Sequence, residues 1–157
     1  MPIHVVLYQP EIPANTGNIA RTCAATGTAL HLIRPLGFST EDKMLKRAGL
    51  DYWEHVNITY HDSIDDFFAA SKHGEYYFLS KFGTKPHTTF NYSDSASDYY
   101  FIFGRETKGL PKEIIEEYRE RCLRIPMNDH VRSLNLSNAA AILVYEALRQ
   151  QGYPSLY

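Results

Sequence analysis

The sequence predicts a single α/β domain, residues 1–157, built on a mainly parallel sheet with helices on both faces. The first observation behind this fold class is that short runs rich in β-branched and aromatic residues alternate with helical patterns along the whole chain. The second is that no linker, repeat or low-complexity segment interrupts the alternation. The third is the composition, because 44% hydrophobic and 22% charged residues are typical of a globular protein with a real core.

Four strands and three helices are predicted in the first half of the chain. The strands are short apolar runs at 4–8, 30–33, 56–60 and 76–80. A loop at 9–17, which contains two prolines, precedes a helix at 18–26 that Gly27 ends as a C-cap. The second helix, at 41–48, has Thr40 as its N-cap, and the third runs from Asp62 or Ser63 to residue 71.

The second half continues the alternation with two strands and two helices. The strands are predicted at 99–103 and 122–125. Pro111 is tolerated in the first turn of a helix at 112–119, and Ser133 or Asn135 opens a final helix that runs to about residue 150. Residues 139–145 are apolar on every side of that helix, so it is buried either in the core of a monomer or against a partner subunit.

Simple counts exclude several classes of protein and site. No apolar run approaches the ~18 residues that span a bilayer, and no basic segment precedes the first apolar run as in a signal peptide. The two cysteines, Cys23 and Cys122, give neither a disulfide framework nor a zinc spacing, which favours the reducing cytoplasm. The histidines at 55, 61 and 73 are expected on the surface, and no metal site is predicted. A net charge of -2 excludes a protein coated in positive charge but leaves room for a local basic patch.

Two segments, 101–111 and 125–138, stand out as candidate ligand loops. Each begins with a short apolar strand and then breaks into glycine, proline and small polar residues. Ligands of open α/β sheets bind beyond the carboxyl ends of the strands, so these loops are predicted to line one pocket. The glycines of 104–109 are not a phosphate loop, because Leu110 and Pro111 occupy the positions where lysine and serine or threonine are required.

A third polar cluster, residues 15–21, follows the first strand. Its simplest interpretation is helix capping, with Asn15 or Thr16 as N-cap and Arg21 on the exposed face. The adjacent acidic pairs at 65–66 and 116–117 point in different directions on a helix and are interpreted as solvated charge.

Taken together, residues 15–21, 103–111 and 125–138 resemble the three signature motifs of the SPOUT-class RNA 2′-O-ribose methyltransferases. Segments 7–14, 46–52 and 145–149 extend the similarity over nearly the whole chain. It is strongest to the members of this family that methylate cytidine or a modified uridine at the wobble position of the tRNA anticodon, with tRNA-Leu as the expected substrate.

The resemblance implies a deep trefoil knot in the C-terminal part and no separate RNA-binding domain. It implies S-adenosylmethionine as cofactor, with S-adenosylhomocysteine as product, and a homodimer in the cytoplasm. By motif, Leu79, Gly104, Ile125 and Ser133 bind the cofactor. An apolar slot of Leu79, Ile125, Met127 and Leu134 suits a purine, while Glu106 and Asn135 are expected to shape the loops.

Arg21 is the catalytic residue to which the resemblance points. An arginine is almost always protonated, so a role in clamping phosphate and stabilising a developing alkoxide is preferred to a role as base. In a dimer it is expected to serve the partner's cofactor.

The candidate RNA patch consists of basic residues from several segments, namely Lys43, Lys46, Arg47, Lys81, Lys85, Arg105 and Arg132. Three alternatives stay open: a family member that acts on another tRNA or rRNA nucleotide, a non-catalytic RNA-binding module, and a domain that binds a small molecule.

Overall fold

The computed structural model describes residues 2–39 and 41–157. In this part of the chain seven strands form one sheet in the order β3-β2-β1-β6-β4-β7-β5, and every neighbouring pair is parallel. The strands are β1 (Ile3–Tyr8), β2 (Ala29–Ile33), β3 (Ile58–His61), β4 (Glu75–Leu79), β5 (Lys85–Pro86), β6 (Tyr99–Phe103) and β7 (Cys122–Arg124). The predicted fold class is confirmed. The trefoil knot stays a prediction.

Helices connect the strands. They are α1 (Pro13–Thr26), α2 (Lys43–Leu45), α3 (Asp51–Trp53), α4 (Ile64–Ala70), α5 (Lys112–Glu117) and α6 (Leu136–Gln150). A π-helical turn, Lys46–Leu50, joins α2 to α3, so the predicted helix at 41–48 is shorter and partly π-helical. Thr40, the N-cap expected there, lies outside the described residues; the Asp42 carboxylate accepts a hydrogen bond from the Met44 N–H instead. Ser63 caps α4 as predicted.

Helix α1 begins at Pro13, within the segment predicted to be a loop. Asn15 and Thr16, the predicted N-caps, lie inside the helix and are buried, so both predictions are wrong. The N-cap position is Ile12, which provides no side-chain cap. Proline is favoured at the first helical position, which explains the early start. At the other end Gly27 adopts φ 71°, as a left-handed C-cap requires.

The core has two layers, one on each face of the sheet. One layer packs α1 and α6 against residues such as Val5, Leu7 and Phe101, and the other packs Phe67 against Val6 and Ile102. All five residues of β6 are buried. Central parallel strands are covered on both faces, which is why this strand reads as an uninterrupted apolar run.

A row of histidines crosses the second layer. His31 lies between His4 and His61, with ring nitrogens 3.0 Å apart on each side, and His4 contacts the Asp98 carboxylate at 3.0 Å. His61 is 8% exposed, so its predicted surface position is wrong. Burial lowers the pKa of His61, and burial with the two neighbouring imidazoles lowers that of His31 to about 3. The neutral imidazole is therefore favoured at His31 and at His61.

Helix α6 is buried along one side only. Ala140, Leu143 and Val144 face the core, whereas Tyr145 is 46% exposed. The pattern of 139–145 thus combines a core face with an apolar outer face, and burial of that outer face by a partner subunit stays a prediction. Among the described residues, no helix has both the length and the apolar character needed to cross a membrane.

Candidate cofactor pocket

A cavity of about 620 Å³ opens beyond the carboxyl ends of β4, β6 and β7. The last residues of these strands, Leu79, Phe103 and Arg124, all line it, together with the loops that follow. The two segments singled out in the sequence therefore meet in one pocket, as predicted. Its position is where open α/β sheets bind ligands, and its volume suits a ligand of cofactor size.

The loop after β6 is a closed turn. The Arg105 N–H donates to the Gly109 carbonyl at 3.2 Å, and the Gly109 N–H donates back to Arg105 at 2.8 Å. A Cβ added to Gly104 would lie 2.3 Å from the Gly109 carbonyl carbon and from the Leu110 nitrogen. Only glycine allows the chain to fold back this closely.

Glu106 joins this loop to the start of α1. Its two carboxylate oxygens accept hydrogen bonds from the N–H groups of Glu11 and Ile12, both at 2.9 Å, and from the Asn15 amide at 3.3 Å. These N–H groups belong to the N-cap residue, Ile12, and to the residue before it, and a carboxylate is favoured at a helix N-terminus. Glu106 therefore caps α1 from about 95 residues away in sequence.

A reciprocal contact runs the other way. The Glu11 carboxylate accepts from the Thr107 N–H at 3.0 Å and from its hydroxyl at 2.8 Å. These hydrogen bonds hold the pKa of Glu11 below its usual value. We call this pair of contacts, Glu106 to α1 and Glu11 to Thr107, the loop–helix latch. It agrees with the expectation that Glu106 shapes a loop, although the sequence did not indicate its partner.

All four residues assigned to the cofactor by motif, Leu79, Gly104, Ile125 and Ser133, line the cavity. Met127 and Leu134 complete the predicted apolar slot. Asn135 lines the cavity and caps α6, since its side-chain oxygen accepts from the Ser137 N–H at 2.9 Å.

Arg21 is not among the residues that line the cavity in the described part of one chain. It lies on the exposed side of α1, with its guanidinium 5.1 Å from the centre of the Tyr52 ring. Its side chain is therefore available on the surface next to the α2–α3 segment. A single chain does not place Arg21 beside the predicted cofactor residues.

Positive charge is concentrated at the cavity. Five cationic side chains and a single carboxylate, that of Glu106, line it within the described residues. The chain as a whole carries a net charge of -2, so this local excess is a specific feature. We call the five the cationic rim: Lys81, Arg105, Lys108, Arg124 and Arg132.

The predicted RNA patch is only partly gathered here. Lys81, Arg105 and Arg132 belong to the rim, whereas Lys85 lies 3.8 Å from the Glu120 carboxylate. Lys43 lies in α2, Lys46 and Arg47 lie in the π-helical turn that follows it, and none of the three lines the cavity. Lys108 and Arg124 are rim residues that the sequence did not indicate. In the described residues no group of three or more histidine, cysteine or acidic side chains is placed to hold a metal ion.

A parallel sheet with a pocket beyond three adjacent strand ends, walled by glycine-containing loops, is the arrangement in which open α/β proteins bind their ligands. The sequence profile of the SpoU rRNA Methylase family matches residues 2–145, and the chain belongs to this family.

Curated relatives and solved structures narrow the comparison. A Bacillus subtilis protein provisionally named tRNA (cytidine(34)-2′-O)-methyltransferase is 71% identical over 98% of this chain and 96% of its own. The Escherichia coli tRNA (cytidine(34)-2′-O)-methyltransferase is 48% identical over 97% and 96%. A solved structure described as concerning the 2-OH methylation of C/U34 on tRNA is 46% identical, covers 96% of both chains and has a TM-score of 0.89.

A more distant solved structure bears on the cofactor. An AdoMet-bound rRNA methyltransferase from Sinorhizobium meliloti is 25% identical and superposes with a TM-score of 0.83. The match covers 94% of this chain and 56% of that one. A solved relative with the same fold therefore binds AdoMet, a methyl donor.

Proposed function

We propose that this protein transfers a methyl group from S-adenosylmethionine to the ribose 2′-hydroxyl of the wobble nucleotide, cytidine or a modified uridine, in the anticodon of tRNA. Two close relatives are named for 2′-O-methylation of cytidine 34 in tRNA, and a solved structure concerns C/U34. The observation on this chain that supports it best is the cationic rim around a pocket of cofactor size. The reaction leaves S-adenosylhomocysteine and releases the proton of the hydroxyl.

The charge of the rim indicates a second, anionic substrate. S-adenosylmethionine carries a sulfonium, an ammonium and a carboxylate, so it is itself a net cation. Five cationic side chains around it would repel it rather than attract it. The phosphates of an RNA strand complement this rim, and the lone carboxylate of Glu106 is engaged with the backbone of α1.

The residues of the cavity fit the cofactor. Leu79, Ile125, Met127 and Leu134 offer an apolar slot for adenine, and the tight turn at Gly104 brings backbone groups to the polar edge of the ligand. The bound cofactor supplies an activated methyl group. This chain supplies alignment, because the hydroxyl must lie in line with the methyl, and Ser133 is the hydroxyl-bearing side chain that we assign to holding the cofactor.

We assign Arg21 the role of clamping a substrate phosphate and stabilising the developing alkoxide. Since Arg21 does not reach the cavity of its own chain, we propose a homodimer in which it acts on the partner's pocket. The exposed Tyr145 on α6 is an apolar surface that such a partner would cover.

A mixing experiment tests this arrangement. Arg21→Ala should abolish methylation and leave cofactor affinity nearly intact, whereas Ser133→Ala should weaken cofactor binding. At a cofactor concentration too low to load Ser133→Ala, neither variant should be active alone. If Arg21 acts across the dimer, unfolding and refolding the two variants together should then restore activity at about a quarter of the sites, because half of the dimers are mixed and each has one complete site. No restoration, with mixed dimers present, would assign Arg21 to its own chain.

The substrate is tested by incubating the protein with labelled S-adenosylmethionine and total tRNA and mapping the modified nucleotide. We expect label at the wobble ribose of tRNA-Leu, in keeping with a cytoplasmic enzyme. The rRNA name of the family favours one alternative, a ribosomal nucleotide, so rRNA is assayed in parallel. Absence of transfer to any RNA would favour a non-catalytic RNA-binding module.

A further inference from the structure

Phe82 is an aromatic side chain left on the surface at the mouth of the cavity. It is 67% exposed, and it lines the cavity from the loop that follows β4. Burial of an aromatic ring is favourable, and folding of this chain leaves most of the Phe82 ring in water. The ring is therefore free to contact another molecule.

The backbone beneath Phe82 is fixed. The Phe82 N–H donates to the Ser80 hydroxyl at 3.1 Å, and the Gly83 N–H donates to the Ser80 carbonyl at 3.0 Å. Ser80 is in turn tied to β7, because its N–H donates to the Leu123 carbonyl at 3.1 Å. This turn fixes the backbone from which the ring projects at the rim, so only the side-chain rotation of Phe82 has to be ordered when a partner binds.

The charges around the ring favour RNA as that partner. The Lys81 ammonium lies 5.2 Å from the centre of the Phe82 ring, and the other four members of the cationic rim surround the same cavity. A second copy of this chain docked symmetrically on Phe82 would bring like charges together. An RNA strand supplies both a base for the ring and phosphates for the lysine.

We propose that Phe82 and Lys81 form a stacking platform for an unpaired base beside the ribose that receives the methyl group. This rests on the proposed function and adds a positioning residue to it. Stacking on an aromatic ring tolerates every base, so the platform fixes where the strand lies without distinguishing cytidine from uridine.

The test compares Phe82→Ala with Phe82→Tyr, and with Tyr157→Ala as a control at a fully exposed aromatic residue near the C-terminus. Phe82→Ala should raise KM for tRNA and Kd in direct tRNA binding by about 10- to 100-fold. Cofactor affinity should stay within about twofold of wild type. Phe82→Tyr should restore tRNA affinity, and Tyr157→Ala should not change it.

Salt dependence separates stacking from charge. Phe82→Ala should leave the slope of log Kd against log salt unchanged, whereas Lys81→Ala should reduce it by about 0.7, the contribution of one phosphate contact to single-stranded RNA. In Phe82→Trp, tRNA should quench the new indole emission, with Trp53, the chain's single native tryptophan, replaced by phenylalanine.

Three outcomes would overturn the platform. They are unchanged tRNA affinity in Phe82→Ala, loss of cofactor affinity in that variant, and its dissociation from dimer to monomer. The binding assays need no methyl transfer. Failure of wild-type protein to methylate any RNA would therefore count against the proposed function, while direct binding would still decide the role of Phe82.

Discussion

The loop–helix latch gives the most quantitative prediction. In Glu106→Ala the N–H groups of Glu11 and Ile12 lose their acceptor at the start of α1. Loss of a helix cap costs about 0.5–2 kcal/mol, and hydrogen bonds to a charged group about 1.5–3 kcal/mol. Water can replace the partner of Ile12, whose hydrogen bond is exposed. We therefore expect about 2 kcal/mol of lost stability.

For a chain of 157 residues, each kcal/mol corresponds to about 2–4 °C in Tm. Thermal unfolding followed by circular dichroism should show Tm lower by about 4–8 °C in Glu106→Ala. Glu106→Gln, which keeps one acceptor oxygen but no charge, should fall by about half as much. Glu116→Gln, at an exposed position on α5, is the control and should change stability by less than about 0.5 kcal/mol.

Hydrogen exchange reports on the same contact locally. The amides of Glu11 and Ile12 should lose protection in Glu106→Ala, while those of β2, which follows the other end of α1, keep theirs. A Tm within about 1 °C of wild type, together with unchanged protection of these two amides, would refute the assignment of Glu106 as the cap of α1.

Three further predictions concern pH, backbone packing and charge. Burial lowers the pKa of His31 and His61 in the folded state, so below the unfolded histidine pKa of about 6.5 the unfolded state binds more protons than the folded state. The free energy of unfolding should therefore be highest above that pH and fall toward pH 5. Urea titration should show a steeper fall in wild type than in His31→Gln. Gly104→Ala should abolish cofactor binding by calorimetry, because its Cβ would overlap the backbone at Gly109. Gly152→Ala, whose φ of 77° costs some stability but which does not line the cavity, should bind the cofactor normally. In filter binding, the plot of log association constant for tRNA against log salt concentration should have a slope of about -3 to -4 if each cation of the rim contacts one phosphate. A slope near zero would exclude the cationic rim from the RNA interface.

The sequence predicted correctly those elements that depend on neighbouring residues in the chain or that are buried on every side. The strand at 99–103 has the predicted bounds, since a central strand buried on both faces needs apolar residues throughout. The strand Lys85–Pro86 was not predicted, because its two residues carry no apolar signal and it exists only by pairing with β7.

The start of α1 shows where local reasoning stops. Residues 9–17 contain the two prolines, the asparagine and the glycine of a loop, yet the helix begins at Pro13, where Glu106 accepts hydrogen bonds from the two preceding residues. No sequence window contains both partners of that contact. The buried position of His61 is similar, since it depends on His31 in the adjacent strand.

The pocket was predictable in outline. Parallel strands end at the same edge of a sheet, so the loops after β6 and β7 had to meet, and the resemblance by motif identified four residues that line the cavity. Lys108, in a loop, and Arg124, at the end of β7, were missed because a charged residue at a strand end or in a loop gives no sign of the direction it faces. The position of Arg21 outside the cavity also depends on tertiary structure.

The strand order has a consequence for how the protein is made. In the sheet, β1 lies between β2 and β6, yet β6 begins at Tyr99, so a ribosome completes the first strand long before its second neighbour exists. Until then one edge of an apolar strand, in which Val5, Val6 and Leu7 are at most 1% exposed in the finished protein, is open to pairing with other chains. Nascent fragments that end before residue 99 should therefore be aggregation-prone, and a chaperone that binds nascent chains would have its main target in the first eight residues.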